Sequence, residues 1–128
     1  MKKAIWLGIL FIFILTASGF AASLVKSSIA VVANGNTVDS AVSSVAARGP
    51  YFLIFDGNGK FIKCLSNSHK NAGGGASALV VDYLSAEGIT TIIAGDFGDK
   101  MIVAMKAKRI QHLEFKGTAA DAVKKAVQ

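Results

Sequence analysis

Tyr51-Phe52-Leu53-Ile54-Phe55-Asp56-Gly57-Asn58-Gly59, followed by Lys60 to Leu65, is the stretch on which the fold turns. Five β-prone residues run into Asp-Gly-Asn-Gly, where Gly and Asn accept the positive φ that tight turns demand. Lys60 to Leu65 then reads as the returning strand, and two strands joined by so short a turn must be antiparallel. Upstream, Ser28-Ile29-Ala30-Val31-Val32-Ala33 is an apolar run ended by Asn34-Gly35-Asn36, the pattern of a buried first strand. Between these two strands, Thr37 to Arg48 is polar and alanine-rich, and is expected to be loop with a helical turn.

Downstream the rhythm changes. Asn71-Ala72-Gly73-Gly74-Gly75 leads into Ala76 to Glu87, where Leu79, Val80, Tyr83 and Leu84 recur at helical spacing and Gly88 is the C-terminal stop. Ile89 to Ala94 is a β-branched run suited to a central parallel strand. Gly95-Asp96-Phe97-Gly98 turns into a second helix, Asp99 to Lys108, whose terminal cations suit its negative pole. Ile110 to Phe115 is a fifth strand. Thr118 with Asp121 resembles a capping box opening a last helix to Val127.

The result is an α/β domain in which the third strand returns parallel to the first. Right-handed β-α-β crossovers keep the fourth and fifth strands parallel as well. The first, third, fourth and fifth strands therefore finish at one edge, where ligands of open α/β sheets sit. Asn34 to Arg48, the triple glycine and Gly95–Gly98 are expected to meet there.

The first 21 residues read as an export signal rather than as part of the fold. Lys2 and Lys3 precede the apolar run Ala4 to Leu15, and Gly19-Phe20-Ala21 fits a small-x-small cleavage site, with Ala22 as the near alternative. The competing reading is an uncleaved anchor over residues 4–22, which reaches the length of about 17–25 residues that spans a bilayer. Residues 22–27 are then a short linker and 28–128 the domain, placed in the periplasm or outside the cell. No cysteine near the junction marks a lipoprotein. Without Lys2 and Lys3 the formal charge falls from +6 to +4. That balance favours a small anion or anionic surface and gives no case for nucleic acid.

Gly73-Gly74-Gly75 entering a helix is the best chemical signal, because backbone N–H groups without side chains can close on an anion at a helix's positive pole. The same run would also serve as a flexible turn. Gly95, Asp96, Phe97 and Gly98 supply a second glycine-bearing helix start. Asn34, Asp39 and Arg48 lie in the long first loop; Arg48 can reach an anion or pair with Asp39. His69 and Cys64 are the candidate metal ligands near the glycines, although Cys64 reads first as a half-buried strand residue, a lone cysteine usually being a small hydrophobe. Met101 is expected in the core and His112 away from the site. The chain lacks a Walker loop, a G-x-G-x-x-G after the first strand and a nucleophile elbow, and it has too few His and Cys for a zinc site.

Four separated blocks resemble one family. Val38 to Ser43, Arg48 to Asp56, Asn71 to Ala76 and Ile93 to Gly98 look like the motifs of the dinitrogenase iron–molybdenum-cofactor biosynthesis family, over about Ser28 to Val127. The resemblance implies a ribonuclease-H-like three-layer α/β/α sandwich, with a mixed five-stranded sheet of order 3-2-1-4-5 and strand 2 antiparallel. It also implies non-catalytic binding or carriage of an iron–sulfur/molybdenum-type cluster or oxometalate. Many members carry His-Phe-Gly before the arginine; this chain has Val45-Ala46-Ala47, so a histidine ligand there is lost. Asp96 stands where the family commonly has Asn, which disfavours a highly anionic ligand at that point. Nitrogenase cofactor assembly is also cytoplasmic, whereas this chain carries an export signal. The leading expectation is an exported carrier of an anionic metal species. The alternative is a structural or interaction subunit of an exported redox complex without bound metal.

Overall fold

A computed structural model describes residues 27–128. The signal or anchor expected over residues 1–22 and nearly all of the linker lie outside the described residues. Three consecutive strands, β1 (Ser28–Ala33), β2 (Tyr51–Asp56) and β3 (Phe61–Ser66), are followed by helix α1 (Ala76–Ala86), β4 (Thr91–Ala94), helix α2 (Asp99–Ala107), β5 (Gln111–Glu114) and helix α3 (Ala119–Ala126). The sheet order is β3-β2-β1-β4-β5, with β2 antiparallel to both neighbours and β4 parallel to β1 and β5. Topology and layers are those the sequence led us to expect.

Alternation along the central strands builds two cores. Ala30 and Val32 of β1, with Phe52 and Ile54 of β2, face α1 and α2 and meet Val80, Leu84, Met101 and Met105. Ile29, Val31 and Ala33, with Leu53 and Phe55, face α3 and meet Ala119, Ala122 and Val123. Both faces of the sheet are covered, so β1 and β2 are buried almost throughout, while the edge strand β3 is mostly exposed. Among the described residues, the five strands, the three helices and both cores lie within 28–126. Among the described residues no helix is long and apolar enough to cross a membrane.

The hairpin turn is held by its aspartate. Asp56 Oδ1 accepts N–H bonds from Asn58 and Lys60, each at 2.9 Å. β3 starts one residue later than expected, and its pairing shifts register between Ile54 and Phe55. That bulge leaves Ile62 unpaired and half-exposed, a device that blunts an open sheet edge. β4 also starts late, because the Ile89 N–H returns to the Leu84 carbonyl and closes α1.

α1 and α2 end in the same motif with different residues. At α1, Gly88 takes φ 84°, its N–H bonds Ser85 O and the Ile89 N–H bonds Leu84 O. At α2 the equivalent position is Arg109 with φ 60°, its N–H bonding Lys106 O while Ile110 bonds Met105 O. An arginine thus occupies a conformation in which glycine is the comfortable residue.

Candidate functional site

The strand carboxyl ends collect the segments expected there, but divide them between two clefts. The divider is Ser43 to Ala46. Gly95 donates its N–H to Ser43 O at 2.7 Å, and Ala46 donates to Asp96 O at 3.1 Å. The Ser43 hydroxyl, itself buried, accepts the Val45 N–H and fixes the turn. A Cβ on Gly95 would lie 2.9 Å from Ser44 Cα, so this crossing of two backbones needs glycine. Beyond the divider, Gly49 donates to Val45 O, a single helical turn as expected in this loop.

The larger cleft, about 720 Å³, lies on the α3 side and is lined by Asp39, Ser44, Gly95, Asp96, Glu114 and Lys116, among others. Its carboxylates suit it poorly to an anion. α3 below it is capped within the chain, since Thr118 Oγ1 accepts the Asp121 N–H at 3.2 Å.

The smaller cleft, about 400 Å³, lies between the starts of α1 and α2, and Val45–Arg48, Gly73–Ser77, Gly98 and Lys100 line it. Neither helix has a side-chain cap, and the caps are Gly75 and Gly98. The first-turn N–H groups of both are thus left to a ligand or water. A Cβ built on Gly73, Gly74 or Gly98 would meet nothing within 4 Å, and only Gly75 of these four has a positive φ (71°). Packing therefore demands no glycine at 73, 74 or 98; the space in front of them is open.

Arg48 lines this cleft and is not paired with Asp39. Its Nη1 donates to Lys70 O at 2.9 Å and Ala72 O at 3.0 Å, binding the segment that leads into the glycines. Asp39 lines the other cleft, and the ion pairs among the described residues are Lys63–Glu87 and Lys108–Asp82. Asp96 likewise belongs to the larger cleft, away from the triple glycine. Asn34 is exposed, donates its N–H to Ala41 O, and lines neither cleft. Phe97 is buried, its ring 5.1 Å from that of the exposed His112, and it serves the α2-side core beside Met101.

Cys64 and His69 lie on opposite faces of the sheet. Cys64 packs against the α3-side core, where burial pushes its thiol pKa up. His69 stacks edge-on to Tyr83 at 6.3 Å, and Tyr83 packs on the α1-side core. They do not converge on one metal ion. Among the described residues no group of three or more His, Cys, Asp or Glu is placed to hold one.

Two contributors escaped the sequence reading. Asn67 is buried; its Nδ2 donates to Ala47 O and Gly49 O at 3.0 and 2.9 Å, and its Oδ1 accepts the His69 N–H at 2.9 Å. It staples the Arg48 turn to the chain leaving β3. Lys100 left a readable signal: a cation in the first turn of α2 opposes the helix dipole unless an anion shares the site.

Residues 27–128 match the family model described as dinitrogenase iron–molybdenum cofactor. The apo orange protein of Desulfovibrio gigas is similar in fold, with 24% identity and a TM-score of 0.73 over 77% of this chain and 85% of that one. A NifB-like Thermotoga protein of the DUF35 family shows 27% identity and a TM-score of 0.67, over 77% of this chain and 84% of its own. No match was found among curated protein sequences.

Proposed function

Because the chain belongs to the dinitrogenase iron–molybdenum cofactor family, we propose that it binds and carries an anionic iron–molybdenum-type cluster or oxometalate, and catalyses no reaction on it. The cargo sits in the glycine-lined cleft. What supports this is the set Gly73, Gly74 and Gly98, whose missing side chains leave open space in front of two helix starts without side-chain caps. Backbone N–H groups, the two positive helix poles and the Lys100 ammonium supply the attraction. Arg48 and Asn67 shape the loop that presents the glycines. The carboxylates Asp39, Asp96 and Glu114 keep the larger cleft for other uses. The carrier works outside the cytoplasm, on the strength of the export pattern in residues 1–21.

The test is anaerobic purification with metal analysis, followed by titration with molybdate and reconstitution with an iron–sulfur cluster. Wild type is expected to take up one equivalent, and Gly74→Val to stay folded and lose it. Protein that is isolated without metal and refuses molybdate, copper and iron–sulfur clusters rules the carrier out. The alternative, an interaction subunit without metal, draws on the exposed Val45 and Val103, 50% and 68% accessible. A stoichiometric exported partner co-purifying with metal-free protein would favour it.

A further inference from the structure

The edge opposite the two clefts has a character of its own. β1 begins there, and all three helices run back to end there. Lys60 from the hairpin turn, Lys106, Lys108 and Arg109 from the end of α2, and Lys124 and Lys125 from the end of α3 collect along it. The carboxylates nearby are engaged: Asp56 holds the hairpin turn, Glu87 pairs with Lys63 at 2.9 Å, and Asp82 with Lys108 at 3.6 Å. At the cleft edge, by contrast, the cations Arg48, Lys70, Lys100 and Lys116 are offset by Asp39, Asp96, Asp99, Glu114 and Asp121.

Helix poles favour cations at helix ends, but that explains neither Lys60 nor the backbone cost of placing an arginine at position 109. Phe61 and Val127 add exposed apolar surface among these lysines, 40% and 39% accessible. They line one shallow groove with Gly59, Val123 and Lys124.

We infer that this edge docks the domain on an anionic lipid bilayer, with the glycine-lined cleft facing away from the membrane. Charge complementarity is one ground: basic side chains around an aromatic and an aliphatic residue suit an interface of anionic headgroups and acyl chains. Chain continuity is the other. In the reading of residues 4–22 as an uncleaved anchor, the apolar run and the cation Lys26 lead into Ser27, which enters the domain at this edge. A purely polyanionic partner such as nucleic acid would not call for Phe61 and Val127. β1 is six residues long, so the cleft stands about 20 Å from the docked edge at roughly 3.3 Å per residue. That exceeds the Debye length of about 8 Å at physiological salt, so lipid charge does not repel an anion held in the cleft.

The test uses the chain from Ala22, which contains every described strand and helix and both described cores, in co-sedimentation with vesicles. Binding is expected to vesicles that are one-third phosphatidylglycerol and not to pure phosphatidylcholine, and to vanish in 1 M NaCl. Each cation at an anionic surface is worth about fivefold in partitioning. Lys124→Gln with Lys125→Gln should therefore weaken binding roughly 25-fold. Arg109→Gly should weaken it about fivefold while raising Tm, a pairing that a merely structural arginine would not give. Molybdate uptake should be unchanged in these variants, which keeps the result separate from the carrier function. Equal binding to both vesicle types, no binding to the anionic ones, tighter binding to a DNA duplex, or indifference to the lysine changes would overturn the inference.

Discussion

Arg48 Nη1 donates to the carbonyl oxygen of Ala72 at 3.0 Å, at the residue immediately before the glycine run. A second bond to Lys70 O makes the guanidinium a clamp on the loop. Arg48→Met keeps the aliphatic stem and removes both donors. Because the side chain is exposed, the expected loss of stability is modest, about 1 kcal/mol by urea unfolding. Molybdate affinity should fall tenfold or more, because the glycines lose their fixed position. Unchanged affinity would mean that the clamp does not shape the cleft.

Asn67 does related work from inside. Asn67→Ala leaves the Ala47 and Gly49 carbonyls and the His69 N–H without their partner in a buried setting. Stranded buried polar groups cost about 1–3 kcal/mol, so a loss of about 2 kcal/mol or more is expected in denaturant melts. Asn67→Leu, which restores volume without donors, should not recover it. Recovery would show that packing, and not the hydrogen bonds, makes the residue matter.

These two residues also show how far the sequence could be read. The hairpin was legible because Asp56-Gly57-Asn58-Gly59 encodes its turn locally, and strand directions followed from it. The glycine segments were legible as a sheet-edge feature for the same reason. The division into two clefts was not, since it depends on Gly95 meeting Ser43 across 52 positions of chain. Phe97 looked like part of a glycine motif, yet it is held in the core. Asn67 gave no local signal, since its partners come from a loop some twenty residues away.

Glycines at the same sheet edge should respond oppositely to alanine. A Cβ at Gly95 would press against the Ser44 Cα at 2.9 Å and the Ser43 carbonyl oxygen at 3.1 Å, and backbone cannot step aside cheaply. Gly95→Ala should lose about 2 kcal/mol. At Gly74 nothing lies within 4 Å and φ is not positive. Gly74→Ala should hold Tm or raise it slightly, by narrowing the unfolded ensemble. Thermal melts of the two variants side by side decide it; equal losses would contradict the open cleft.

Asp56 sets an acid-dependent contribution to stability. The Lys60 N–H bond first, and then that from Asn58, hold its carboxyl below the usual carboxylate value, despite some desolvation. A depressed folded-state pKa stabilises the protein above the unfolded value, about pH 4. The contribution fades as pH falls through the folded value. Asp56→Asn should therefore lower stability at neutral pH and flatten the stability curve below about pH 4. Parallel wild-type and variant curves through that range would place the acid sensitivity in another carboxylate.

Cys64 offers the sharpest check on how a metal species would be held. Burial raises its thiol pKa, and it faces the α3-side core, across the sheet from His69. Alkylation by iodoacetamide should be slower than that of a free thiol at pH 8, and should accelerate only above the ordinary thiol value of about 8.5. Cys64→Ala should cost about 1 kcal/mol, as loss of a small half-buried group, and leave metal content unchanged. If metal is lost with the sulfur while the fold stays intact, the cargo is coordinated by a thiolate and the glycine-lined cleft is not its seat.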